Sequence, residues 1–206
     1  MNPLSVFLAP GKTVRDTLEH PNLAVSVVLV LLPNLVLLGL AAVLGFRISP
    51  QAPLNAAKSI LFWIASSVAL YLLLYLLKGK SVQGKFTGLL GCVALTRLFS
   101  AAILVLLALF AFVLTPTLFT GFKQLQNTSF GLQDIIQVAE RVPVQSDVLS
   151  LGFAFFVLAL SAIFLLETLY VWYAVIAAAG PGGALKNVLL LALALVVSGI
   201  LAGFLG

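Results

Sequence analysis

Polar chemistry is scarce in this chain. Its 206 residues include one histidine, one cysteine, eleven basic and six acidic side chains, and only 8% are charged. Ordinary soluble domains carry about 25% charged residues. The lone cysteine, Cys92, excludes an internal disulfide and reads as a buried, inert thiol. The lone histidine, His20, stands before a proline, a place for a solvated or capping residue and not for a general base. No His, Cys and carboxylate spacing supports a metal site, and no nucleophile has a base in a local motif. The expectation is a protein that is not an enzyme and needs no cofactor. The net charge of +5 is scattered, without clustered stacking or base-reading groups, so nucleic acid is not an expected partner.

What the chain has is apolar sequence. Hydrophobic residues make up 62% of it, more than a soluble fold of this length could bury. Five long apolar runs are separated by short segments that hold nearly all the charge. A membrane-spanning helix needs about 20 mostly apolar residues, and backbone groups in hydrocarbon must be satisfied within the segment. The expected fold is therefore all-α: a polytopic membrane protein with five transmembrane helices in a bundle, as a single membrane domain over 1–206. The runs place the spans at about 22–46, 59–77, 87–114, 149–179 and 185–204. Pro33 interrupts the first and predicts a kink, because it removes one backbone donor and frees the carbonyl of Leu29. A polar segment precedes this first run and no small-residue cleavage site follows, so it reads as a true span and not a signal peptide.

Two further segments read as short amphipathic pieces at the membrane surface. In the first, Leu4, Phe7 and Leu8 share a face. After Pro10-Gly11, Thr13 stands three residues before Asp16 in a capping-box arrangement, with Val14 and Leu18 at helical spacing. In the second, over 130–142, Phe130, Ile135, Ile136, Ala139 and Val142 interleave with polar residues. With the N-terminus inside, inner segments hold Lys12, Arg15, Lys78, Lys80, Lys85 and Lys186, against Arg47, Lys58, Lys123 and Arg141 outside. The positive-inside bias therefore favours a cytoplasmic N-terminus and a C-terminus on the opposite side.

Two charges fall inside predicted spans, Arg97 and Glu167. A charge at a helix centre costs about 2.5–3.5 kcal/mol on insertion scales, so it normally has a partner. At 1.5 Å per residue, both residues lie roughly 15 Å from the cytoplasmic ends of their helices. An ion pair joining the third and fourth spans is one reading. The other makes Glu167 a proton or cation site beside Tyr170. Trp63, Tyr71, Tyr75, Trp172 and Tyr173 read as interfacial anchors. Gly199 and Gly203 on the last span, and Gly84, Gly88 and Gly91 at the start of the third, read as faces where helices approach closely. Gly180-Pro181-Gly182-Gly183 is a tight turn and lacks the lysine and hydroxyl of a phosphate-binding loop.

Three stretches carry a resemblance to a known family. They are Phe7-Leu8-Ala9-Pro10-Gly11-Lys12-Thr13 with the polar turn to His20-Pro21, the basic link Leu77-Lys78-Gly79-Lys80-Ser81-Val82-Gln83-Gly84-Lys85-Phe86, and Trp172 ahead of a glycine-containing turn and a final apolar span. In this order they resemble the Yip family of small integral membrane proteins. The resemblance implies five spans, a cytoplasmic N-terminus and a role in membrane organisation or trafficking through lipids, other membrane proteins or self-association. Eukaryotic members are associated with vesicle traffic and Rab-type GTPases. This chain lacks their acidic, aromatic-and-proline signature before the first span, so Rab binding is not implied; its short loops look more like prokaryotic members. Lys12, Arg15, Lys78, Lys80 and Lys85 become the expected contacts for a partner or for lipid headgroups. The competing expectation is a small transporter or channel module built on Arg97 and Glu167.

Overall fold

A computed structural model describes residues 3–44, 50–114 and 148–205. Among these are six α-helices, two short 3-10 turns and no strand. The helices are α1 (Pro10–Glu19), α2 (Leu23–Leu44), α3 (Ala52–Lys78), α4 (Phe86–Leu114), α5 (Val148–Ala179) and α6 (Ala184–Leu205). The 3-10 turns are Pro3–Phe7 and Gly79–Val82. Every helix except α1 is long and apolar enough to cross a membrane, with mean hydropathy between 2.2 and 2.6. The chain is a multi-pass, all-α membrane protein.

Sequence and structure differ most at α3, which begins seven positions earlier than the apolar run suggests. Asn55 and Lys58 interrupt the hydropathy signal, but Gln51 occupies the N-cap and Pro53 the first turn. Proline there gives up only a donor that the helix start would leave unsatisfied anyway. The helix closes at Gly79, whose φ of 64° and ψ of −145° suit glycine alone, and whose N–H returns to the Tyr75 carbonyl. α2 continues through Pro33.

α4 is the hub of the bundle, packed against α1, α2, α3 and α5, while α6 lies against α3 and α5. Leu89, Cys92, Ala94, Leu95 and Phe99 of α4 are fully buried. The other spans put large apolar side chains outward, among them Leu76, Phe155, Phe156, Leu189 and Val196. Helices apolar on all sides are stable in that arrangement because lipid covers what the bundle does not. Buried hydroxyls are mostly satisfied by the preceding turn: Ser67 Oγ donates to the Trp63 carbonyl at 2.8 Å and Thr96 Oγ1 to Val93 at 2.7 Å.

α1 is a helix, as one of the two surface segments was expected to be, but it does not start as a Thr13 capping box implies. Pro10 takes the first turn and Ala9 the N-cap. Thr13 is thus inside the helix, its Oγ1 donating to the Ala9 carbonyl at 3.0 Å and lying 2.8 Å from Ser5 Oγ. Val14 and Thr17 are fully buried against α4. Gly88 and Gly91 make that contact possible. A Cβ on Gly88 would stand 2.6 Å from the Leu18 carbonyl oxygen, and one on Gly91 would stand 2.7 Å from Thr17 Cγ2. Phe7 adds an edge contact to Phe99, with ring centroids 4.9 Å apart, and a tilted one to Phe164 at 5.8 Å. The glycine face predicted on the third span is therefore a seat for α1. The matching pair on α6 is not packed: a Cβ on Gly199 or Gly203 would meet nothing within 4 Å.

The second amphipathic segment, 130–142, lies outside the described residues. The reading of Trp63 as an interfacial anchor is corrected. Trp63 sits mid-helix, is nearly fully buried, and donates its Nε1–H to the Leu90 carbonyl at 2.8 Å. Trp172 is also buried, whereas Tyr75 remains exposed and stacks on Tyr71 at 6.2 Å.

Candidate functional site

Two ends of the bundle carry its polar chemistry. At the end where α1 docks, three lysines tie the α3–α4 link to the α5–α6 turn. α5 finishes in Ala177-Ala178-Ala179 and Gly180-Pro181, which offer no side chain to cap the helix. Gly180 does not adopt the left-handed conformation of a usual C-cap; only Gly79 and Gly84 have positive φ among the described residues. The last carbonyls of a helix have no partners within it and carry partial negative charge. Here lysines supply the donors. Lys78 Nζ donates to the carbonyls of Ile176 and Gly180, the latter at 2.8 Å. Lys85 Nζ donates to Ala179 at 2.9 Å. In return Lys186, at the start of α6, donates to the Leu77 carbonyl at the end of α3.

Two glycines of that turn, Gly180 and Gly182, are required by the same closeness. A Cβ on Gly180 would collide with the Ser81 hydroxyl, and one on Gly182 would stand 3.1 Å from Asn187 Oδ1 and 3.5 Å from Lys78 Cε. Of the five basic residues expected to meet a partner, Lys78 and Lys85 therefore spend their charge inside the protein. Lys12 and Arg15 of α1 and Lys80 of the α3–α4 link are exposed.

The opposite half holds a cavity of about 390 Å³. Asn34 of α2, Asn55, Lys58, Ser59 and Phe62 of α3, Arg97 of α4 and Ala202 of α6 line it. Asn34 Nδ2 donates to Ser59 Oγ at 2.9 Å, which joins α2 to α3. The Arg97 guanidinium carbon lies 5.1 Å from the centroid of the Phe62 ring. Two cationic residues and no carboxylate are among the described residues lining the space.

This placement separates Arg97 from Glu167. α4 and α5 do pack together, but Arg97 reaches the α2–α3–α6 side, and the two form no ion pair among the described residues. Equal depth on adjacent helices was the basis for pairing them. Depth leaves rotation about the helix axis open, and rotation decides which neighbour a side chain meets. Glu167 is half-buried on α5 and is not among the residues lining the cavity. Tyr170, one turn on, places its hydroxyl 3.5 Å from where a Cβ of Gly11 would be. No cluster of three metal-ligating side chains occurs among the described residues.

Sequence reading missed the lysine caps and the cavity. The ending of α5 in small residues and proline, facing a basic link, was a usable signal for the caps. Of the cavity, the sequence pointed only to Arg97, because the rest of the lining comes from three other helices distant in sequence. Compared with known proteins, the chain matches no family model, no curated protein and no solved structure.

Proposed function

We propose that this chain is a non-enzymatic integral membrane protein of Yip type that acts in membrane organisation or trafficking by binding lipids or other membrane proteins. The observation that carries this reading is the exposed basic surface at the α1 end. Lys12, Arg15 and Lys80 remain available there after Lys78 and Lys85 have been committed to helix ends. Cations at a membrane boundary attract anionic headgroups by about 1 kcal/mol each. With the N-terminus cytoplasmic, as the basic-residue bias favours, this end faces the anionic inner leaflet.

The transport reading has less support. A route from the Arg97 cavity to the other end along α3 and α4 would have to pass the buried Trp63, Leu70, Leu74 and Val93, where the Trp63 indole bridges to the Leu90 carbonyl. The test compares the wild type with the triple variant Lys12→Gln, Arg15→Gln, Lys80→Gln. Anionic lipid and membrane proteins retained through purification should fall in the variant. Unchanged retention of both, in a variant that melts like the wild type, overturns the assignment of this surface.

A further inference from the structure

We propose that the cavity beside Arg97 is a binding site for a phosphate-bearing anion, with Arg97 as its principal ligand. The inference deepens the lipid-binding arm of the reading above, but it concerns residues in the other half of the bundle and can fail independently.

The argument starts from the energetic position of Arg97. It stands eleven positions into α4, inside a candidate span, where an unpaired charge is expensive. A guanidinium presents five N–H donors and no acceptor. The Phe62 ring offers its π-electrons to the cation but accepts no conventional hydrogen bond, and Arg97 donates to no described residue. Those donors therefore face the cavity without acceptors among the described residues, in a setting that favours a bound anion.

The remaining lining suits that ligand. Ser59 Oγ accepts from Asn34 and donates to no described residue, so its own O–H is available. Asn34 keeps its second amide hydrogen. A planar, forked guanidinium matches two phosphate oxygens at once. The volume is within the roughly 300–1,000 Å³ of small-ligand pockets. Ala202 with exposed Gly199 and Gly203 gives α6 a low-volume face next to the cavity, leaving room for a headgroup to reach in from the bilayer. A free phosphate would use the same donors, so the chemistry is shared and the source must be measured.

The experiment titrates the full-length purified chain in detergent with phosphatidylglycerol, phosphatidylcholine and inorganic phosphate, reading bound species by native mass spectrometry. Two variants accompany the wild type: Arg97→Gln removes the main ligand, and Ala202→Leu fills the cavity from a tolerant, exposed position. The expected result is saturable binding of phosphatidylglycerol, weakened about tenfold or more in Arg97→Gln, as loss of hydrogen bonds to a charged group implies, and reduced in Ala202→Leu. Inorganic phosphate that binds alone, with the same loss in both variants, supports the site and identifies a free anion as its occupant. Equal retention of phosphatidylcholine and phosphatidylglycerol, with neither variant differing from the wild type, overturns the proposal. If Arg97→Gln does not fold, Ala202→Leu decides: unchanged anion binding there also overturns it.

Discussion

Replacing Lys78 with methionine separates a structural lysine from a headgroup-binding one. The substitution keeps the length of the side chain and removes two charge-assisted hydrogen bonds, to the carbonyls of Ile176 and Gly180. Hydrogen bonds to charged groups contribute about 1.5–3 kcal/mol each. The ammonium is only partly buried at the membrane boundary, so water can replace part of what is lost, and about 1 kcal/mol per bond is the appropriate scale. The expected loss is about 2 kcal/mol. For a chain of this length each kcal/mol moves the melting temperature by about 2–4 °C, giving a drop of about 4–8 °C. Lys80→Met is the matched control. Lys80 is exposed and donates to no described residue, so its change should stay within about 0.5 kcal/mol. Intrinsic tryptophan fluorescence during a thermal ramp reports both, because Trp63 and Trp172 are buried in the bundle. Equal melting temperatures for the two variants would refute the capping role and return Lys78 to the exposed basic surface.

Two further outcomes follow from the packing. Gly88→Val puts a side chain against the Leu18 backbone, which cannot rotate away. It should cost about 1–3 kcal/mol and speed tryptic cleavage after Lys12 and Arg15, whereas Gly203→Val, with open space around it, should leave the cleavage rate unchanged. Trp63→Phe removes the bond to the Leu90 carbonyl and three ring atoms of a nearly fully buried indole. It should lower stability by about 2–4 kcal/mol, the lost bond adding about 1 kcal/mol to the cavity left behind, read from the remaining Trp172 signal; a loss of about 1 kcal/mol or less would show that the site closes around the smaller ring.

The spans were legible because hydrocarbon imposes a simple requirement, a run of apolar residues long enough to cross, and five runs meet it. Their boundaries were less clear where a polar residue sits inside a helix. Asn55 and Lys58 hid the first turns of α3, and these same residues line the cavity, so the weakness of the hydropathy signal there coincided with the site. The α1 contact was half legible: small residues at 88 and 91 announced a close approach, but not that the partner was the N-terminal helix. The basic residues were legible as a membrane-boundary set, while their division into internal caps and exposed charges was not.

Sequence alone therefore determined the class of molecule, the number of crossings and the positions of the few charges along each helix. These depend on composition and on a one-dimensional period, which every residue carries with it. The tertiary structure decided which charges meet. Arg97 and Glu167 share a depth but not a neighbour, and Lys78 reaches the end of a helix about a hundred residues away. Such contacts depend on the rotation and tilt of each helix in the bundle. Those are set by where glycines let backbones approach and where bulky residues hold them apart, a balance among several helices that no single segment encodes.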